Sequence, residues 1–82
     1  MKLKRLHLLN SLKIYWWIKA YIEKNGESPT YVDVAIAFSI DKRSVHNAVK
    51  TLRSMGLIEA NPVFDRPFRI LKEAGGYEQE QV

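Results

Sequence analysis

The feature that most constrains the fold is an apolar stripe along a predicted helix over residues 41–55. Apolar residues recur there at spacings of three and four, the pattern of a single helix face: Val45, Ala48, Val49, Leu52 and Met55. Asp41 favours the start of this helix and Gly56 its end. The helix must therefore pack one side on a core and leave its other side, which is basic and polar, to solvent.

A longer helix is predicted upstream, over residues 10–25. Asn10 and Ser11 favour its start, and Asn25-Gly26 favours its end. The stripe expected to face the core consists of Ile14, Ile18, Tyr21 and Ile22. Trp16 lies off this stripe, so either residues 1–9 fold back over it or it belongs to a surface for a partner or a second copy. The residues assigned to that surface are Trp16, Tyr15, Leu3 and Leu6.

A short helix is predicted between these two, over residues 30–38. Thr30 is its N-cap, and Asp33 three positions later completes a pattern like a capping box. Its apolar residues are Val32, Val34, Ala35 and Phe38, with Ala37 on the flank of this set. Ser39-Ile40 is predicted to form a tight turn into the following helix.

A β-hairpin is predicted over residues 57–71. Residues 57–60 have strand character, residues 61–67 are rich in turn formers, and residues 68–71 alternate, with Phe68 and Ile70 on one face. The chain is therefore predicted to have an α+β fold, in which a three-helix bundle precedes a two-stranded hairpin.

Charge is distributed unevenly along the chain. The formal net charge is +4, but residues 73–82 contribute three glutamates and no cation, so residues 1–72 carry +7. Residues 73–82 are predicted to be an acidic flexible tail, set apart from the last apolar stretch by Gly75-Gly76, and residues 1–72 a basic domain. A compact basic domain favours an anionic partner, most commonly nucleic acid, although its charge also promotes solubility.

Composition excludes several classes of function. With no cysteine, the chain has no disulfide framework, thiolate nucleophile or Cys-based zinc site. Neither paired carboxylates nor phosphate-binding glycines are evident, so we expect no enzyme activity, metal or small-molecule cofactor. No apolar run approaches the roughly 20 residues that span a bilayer. We therefore expect a cytoplasmic protein without a membrane partner, and a nucleoid-associated one where the anionic partner is DNA.

The polar face of the third predicted helix carries residue types that contact DNA. These residues are Lys42, Arg43, Ser44, His46, Asn47 and Lys50. Arg and Lys bind phosphates or the guanine edge, Asn pairs with adenine through two atoms, and Ser reaches either. A solvated helix face normally mixes charges of both signs, but no acidic residue follows Asp41 on this one. Together these residues predict binding to double-stranded DNA.

Residues 34–58 resemble the signature of winged helix-turn-helix proteins. A scanning helix, a tight turn and a recognition helix lead into Leu52, three residues, and then Gly56-Leu57-Ile58. The spacing is similar to that of MarR-like regulators. The segments GESPT (residues 26–30) and DRPFRIL (residues 65–71) resemble parts of the DNA-binding domain of the LexA repressor family.

This resemblance covers residues 14–71 and implies a fold and a set of contacts. It implies a recognition helix in the major groove and a hairpin that forms the wing. Arg66 and Arg69 of the wing would contact the DNA backbone or the minor groove, and Thr30 is added to the predicted contacts. The chain departs from the family in having Ser39 where glycine is common, and no counterpart of a Ser/Lys self-cleavage domain is expected.

The leading interpretation is a small prokaryotic or viral transcriptional regulator, such as a repressor. A homodimer is expected, because a single module of this size has a small DNA interface. Replication or plasmid control would suit the same domain. A different class of function is a winged-helix module that binds another protein through the aromatic first helix.

Overall fold

The helices and strands follow one another in the order that the sequence predicts. The computed structural model describes the backbone of residues 2–73 and the side chains of residues 10–73. Its elements are α1 (Lys2–Asn25), α2 (Tyr31–Phe38), α3 (Lys42–Ser54), β1 (Ile58–Ala60) and β2 (Phe68–Ile70). The two strands pair antiparallel, which confirms the α+β, winged helix-turn-helix fold. Beyond Glu73, the predicted acidic tail lies outside the described residues.

The start of α1 lies at Lys2, so the prediction that this helix begins at residue 10 is wrong. Residues 2–9 are leucines, lysines, one arginine and one histidine, and they include neither glycine nor proline. Leucine, lysine and arginine are good helix formers, so nothing ends the helix at its expected cap. Asn10 and Ser11 therefore lie inside a continuous helix. Residues 2–9 continue its backbone and do not fold back over Trp16.

The start of α2 has both hydrogen bonds of the predicted capping box. Thr30 Oγ1 accepts from the Asp33 N–H at 2.9 Å, and the Thr30 N–H donates to Asp33 Oδ2 at 3.0 Å. Val34 is fully buried, whereas about half of Val32 is exposed. Residues two apart in a helix are rotated by about 200° about the helix axis, so they lie on nearly opposite sides. Burial of Val34 therefore turns Val32 outward.

The turn between α2 and α3 depends on Ser39. Its φ of 55° and ψ of 45° lie in the left-handed region, and its N–H donates to Ile36 O at 3.2 Å. The Ile40 N–H donates to Ala35 O at 3.0 Å, which satisfies a second carbonyl at the end of α2. The tight turn predicted at residues 39–40 is therefore present, with serine in a conformation that favours glycine.

The core is centred on α3. Its buried residues are Val45, Ala48, Val49 and Leu52, while Met55 is half-buried. They share one hydrophobic cluster with Ile14, Tyr15 and Ile18 of α1 and with residues of both strands. Burial of a large aliphatic or aromatic side chain stabilises a fold by about 1.5–3 kcal/mol. Packing of the core stripe therefore fixes which side of α3 faces solvent.

Long-range hydrogen bonds hold the hairpin against the helices. The Phe68 N–H donates to the Ser28 hydroxyl, 40 residues earlier, at 3.0 Å, and this hydroxyl donates to Pro29 O at 2.7 Å. The Tyr15 hydroxyl donates to Lys72 O at 2.7 Å. The register of the two strands is Ile58–Ile70, Glu59–Arg69 and Ala60–Phe68. The wing is thus bonded both to α1 and to the loop before α2.

Candidate nucleic-acid interface

The solvent side of α3 is polar and basic. All six residues of α3 predicted to contact DNA are exposed: Lys42, Arg43, Ser44, His46, Asn47 and Lys50. The helix contains no acidic residue. Among the described residues, none forms an ion pair with Lys42, Arg43 or Lys50. The charges on this face are therefore available to an anionic partner.

Asp41 caps the N-terminus of α3 by accepting a hydrogen bond from Ser44. Asp41 Oδ1 accepts from the Ser44 N–H at 2.8 Å. The pKa of the Asp41 carboxyl is lowered, first by a hydrogen bond from the Ser44 side chain and then by the one from the Ser44 backbone. Ser44 is exposed, and its backbone N–H is engaged by the Asp41 carboxylate.

One flank of α3 is held by a stack of aromatic rings. The His46 imidazole lies nearly parallel to the Tyr31 ring, with centroids 4.0 Å apart, and the Tyr31 centroid is 4.9 Å from that of Phe68. Burial raises the pKa of the Tyr31 hydroxyl, and the charge of nearby Arg53 opposes this shift. The stack places the start of β2 beside this flank. No sequence pattern marks Tyr31 as a neighbour of His46, so its role could not be predicted.

The other flank of α3 borders a cleft that it shares with α1. The cleft has a volume of about 420 Å³, and its lining includes Ser44 and Asn47 of α3 and Asn10 and Lys13 of α1. Lys13 is exposed. Its position beside the polar face results from the packing of α1 on α3, which no local sequence signal reveals.

Arg66 of the wing, a predicted DNA contact, is engaged within the protein. Its Nη1 donates to Ser28 O at 2.8 Å and lies 3.6 Å from Glu27 Oε2 and 3.8 Å from Asp33 Oδ2. The pKa of the Arg66 guanidinium is raised, chiefly by a hydrogen bond with the Tyr21 side chain. Arg66 therefore links the wing to the loop before α2, and its contact with DNA stays a prediction.

The other predicted contacts outside α3 also have partners. Arg69 Nη2 donates to Glu59 Oε1 at 2.6 Å, but 72% of the arginine side chain is exposed. Thr30 is half-buried, and both its N–H and its hydroxyl take part in the capping box. Contact with DNA at Arg69 and Thr30 stays a prediction.

The aromatic residues of α1 divide between the core and the surface. Tyr15 is 0% exposed, so the prediction that it belongs to an interaction surface is wrong. Its ring lies in the core and its hydroxyl reaches the end of the wing. Trp17 packs against Tyr21 and Phe38, with ring centroids 5.3 and 6.0 Å away. Most of the aromatic surface of α1 is therefore used in the fold itself.

Trp16 is half-buried on the remaining surface of α1. Its ring lies edge-on to Tyr15, with centroids 5.1 Å apart, and Lys19 Nζ is 5.9 Å from the ring centre. Its indole Nε1 is buried and has no hydrogen-bond partner in the described part of the chain. Leu3 and Leu6 belong to the first turns of α1, where the structure describes the backbone alone. A surface formed by Trp16, Leu3 and Leu6 stays a prediction.

Among residues 10–73, whose side chains the structure describes, no group of three His, Cys, Asp or Glu could bind a metal ion. No helix within the described backbone combines the length and the hydropathy needed to cross a bilayer.

Known proteins resemble the chain over the segment that forms the helices and the wing. The family model described as the LexA DNA binding domain matches residues 10–67. The LexA repressor of Thermosipho melanesiensis is 37% identical over 60 residues, which cover 73% of this chain and 30% of that repressor. The LexA repressor of Thermosipho africanus is 36% identical over 56 residues, which cover 68% of this chain and 28% of that repressor. The chain thus matches less than a third of the length of these relatives.

Proposed function

The chain belongs to the LexA DNA binding domain family, and from this premise we propose that it binds specific sequences of double-stranded DNA. We further propose that it acts as a small prokaryotic or viral transcriptional regulator. Its relatives are repressors by name, and repression is the role that we extend to this chain. DNA binding is assigned to residues 1–72 as one domain.

The observation that best supports this proposal is the single sign of charge on the exposed side of α3. Lys42, Arg43 and Lys50 lie there with Asn47, and the helix contains no carboxylate. An α-helix fits the major groove, where cations bind phosphates or the guanine edge and an asparagine amide can pair with adenine. We assign base contact to Asn47 and phosphate or guanine contact to the three cations.

The remaining predicted contacts receive supporting roles at the edges of α3. The His46 ring stacks on Tyr31, and the backbone of Ser44 is bonded to Asp41, so both residues present their side chains at the edges of α3. Arg69 is exposed and can exchange its carboxylate partner for a phosphate. Arg66 and Thr30 position the wing and the start of α2, and they approach the DNA backbone there.

The proposed assembly is a homodimer in the cytoplasm, bound to the nucleoid. A single DNA-binding module buries about 600–1,000 Å² on DNA, whereas a dimer reads two half-sites about one helical turn apart. We assign the dimer surface to α1, with Trp16, Leu3 and Leu6. The partner is double-stranded DNA, and no cofactor is required for this function.

Two alternatives use the same fold. Control of replication or of a plasmid would use the same DNA interface. Binding of another protein through the aromatic residues of α1 is less well supported, because Tyr15 is buried and Trp17 packs against Phe38. DNA binding explains the exposed basic face, which the protein-binding alternative leaves without a role.

Fluorescence anisotropy with a labelled random-sequence duplex tests the proposed DNA binding. We expect the logarithm of the association constant to fall linearly with the logarithm of salt concentration. The expected slope is about −3 to −5, as for roughly four or five phosphate contacts. Lys42→Glu combined with Lys50→Glu should abolish binding while the circular dichroism spectrum stays helical.

The control is a second double charge reversal. Lys24→Glu with Lys72→Glu changes the net charge equally at two exposed lysines outside α3. This variant should weaken binding far less. Equal loss in both variants would mean that only net charge matters, and absence of wild-type binding at low salt would refute DNA binding itself.

A further inference from the structure

We propose that the cleft between α1 and α3 is a second contact with the DNA backbone, in which Lys13 binds a phosphate. This proposal rests on the proposed DNA binding and extends it to α1. Neither the apolar pattern of α1 nor its caps point to such a contact. The position, lining and charge of the cleft support it.

The cleft opens directly beside the polar face of α3. Asn47 and Ser44 line it from α3, and Asn10 and Lys13 line it from α1. Its volume of about 420 Å³ accommodates a phosphodiester group with ordered water, since a water molecule occupies about 30 Å³. Because Asn47 belongs both to the cleft and to the exposed face of α3, a phosphate held here lies next to the bases that α3 would read.

The chemistry of the lining suits an anion. The polar rim consists of side-chain amides, hydroxyls and one ammonium group, and none of its described residues carries a carboxylate. Ammonium and amide N–H groups are the donors that bind phosphate oxygens in protein–DNA complexes. The apolar part of the lining, which suits the deoxyribose next to a phosphate, is Ile14, Phe38, Ile40 and Ala48.

Lys13 differs from several other cations of the protein in having no acidic partner among the described residues. Lys19 Nζ lies 2.6 Å from Glu23 Oε2, and Arg69 Nη2 lies 2.6 Å from Glu59 Oε1. Lys13 is exposed and forms no ion pair with another residue of the described range. A phosphate can therefore bind Lys13 without displacing a carboxylate, and its binding releases a counterion from DNA.

The cleft and the wing lie on opposite flanks of α3. His46 stacks on Tyr31 on the side of the wing, whereas Ser44 and Asn47 face α1. A helix in the major groove has a phosphate backbone on each side. The cleft on α1 thus supplies a contact to the backbone on the side away from the wing.

The substitution Lys13→Gln tests this contact by anisotropy with the random-sequence duplex. Glutamine keeps a polar side chain but removes the charge. We expect binding to weaken about three- to tenfold at low salt and the slope of the salt dependence to become shallower by about 0.9, as for the loss of one phosphate contact. Lys24→Gln, at an exposed lysine of the same helix outside the cleft, should leave the slope nearly unchanged.

Lys50→Gln separates a failure of this inference from a failure of the proposed function. If Lys50→Gln makes the slope shallower but Lys13→Gln behaves like Lys24→Gln, the cleft is not a backbone contact and DNA binding by α3 stands. If the wild-type protein binds no duplex, the proposed function fails and the cleft is not a DNA site.

A titration with inorganic phosphate, followed by amide NMR, distinguishes a free anion from DNA as the source of the phosphate. Saturable shifts at Asn10, Lys13 and Asn47, together with an unchanged DNA slope in Lys13→Gln, would assign the cleft to a small anion and overturn the proposal. Weak, non-saturating shifts together with the expected change in slope would support the DNA backbone as the occupant.

Discussion

Ser39 is the residue whose backbone conformation fits its residue type least. Its φ of 55° lies in the left-handed region, where a residue with a Cβ is strained by roughly 1–2 kcal/mol. Glycine removes this strain but gives the unfolded chain more conformational entropy, which offsets part of the gain. We expect Ser39→Gly to raise the free energy of unfolding by up to about 1 kcal/mol, as measured by urea denaturation.

A glycine at an ordinary helical position provides the matched control. Ala37 is exposed within α2 and has no positive φ. Ala37→Gly should therefore lower the free energy of unfolding by about 1 kcal/mol. If Ser39→Gly destabilises the protein as Ala37→Gly does, the turn is not strained by its serine.

Along α3, the exposed side is predictable from the sequence, but the partner of an individual side chain is not. The spacing of Val45, Val49 and Leu52 predicts which side of α3 faces solvent, and the structure agrees. The same spacing does not indicate which other elements of the fold flank the exposed side of α3. The stack of His46 on Tyr31 depends on how α2 meets α3, which arises only in the folded chain.

Among the helices and strands, the boundaries with strong local signals are predictable. The caps Thr30 and Asp41 and the stop at Gly56 agree with the structure, because each satisfies backbone groups that a helix end leaves unpaired. The start of α1 is not predictable from Asn10, since an N-cap is only a preference and residues 2–9 favour a helix. Propensity over several residues outweighs a single cap here.

The wing depends on one buried hydroxyl in the loop before α2. Ser28 Oγ accepts from the Phe68 N–H and donates to Pro29 O. Ser28→Ala removes this acceptor and leaves a backbone N–H of β2 buried without it, which costs about 1–3 kcal/mol. We expect a loss of that size in the free energy of unfolding, measured with urea, and faster hydrogen exchange at the Phe68 amide.

Ser54→Ala is the control for this loss. The Ser54 hydroxyl is exposed and donates to Thr51 O within the same helix end. Its removal should change the free energy of unfolding by less than about 0.5 kcal/mol. Similar effects of the two alanine substitutions would contradict the role assigned to Ser28 in holding the wing.

At the scale of the whole molecule, the proposed homodimer predicts that Trp16 contributes to self-association. Trp16→Ala should weaken self-association measured by sedimentation equilibrium, because it removes the large aromatic side chain assigned to the dimer surface. Trp16→Phe keeps an aromatic ring and removes an indole N–H that has no partner among the described residues, so it should retain more of the association. An unchanged association constant in Trp16→Ala would exclude this surface.

The hydrogen bonds that hold the wing also set the order in which the protein folds. The Tyr15 hydroxyl reaches a carbonyl 57 residues away, and the Phe68 N–H reaches a hydroxyl 40 residues away. Closing such long loops costs more entropy than forming the turns between the helices, so these contacts form late. During synthesis, the bond between Tyr15 and the Lys72 carbonyl can form only after residue 72 has left the ribosome. A nascent chain therefore carries a complete α3 before it carries the wing that flanks it.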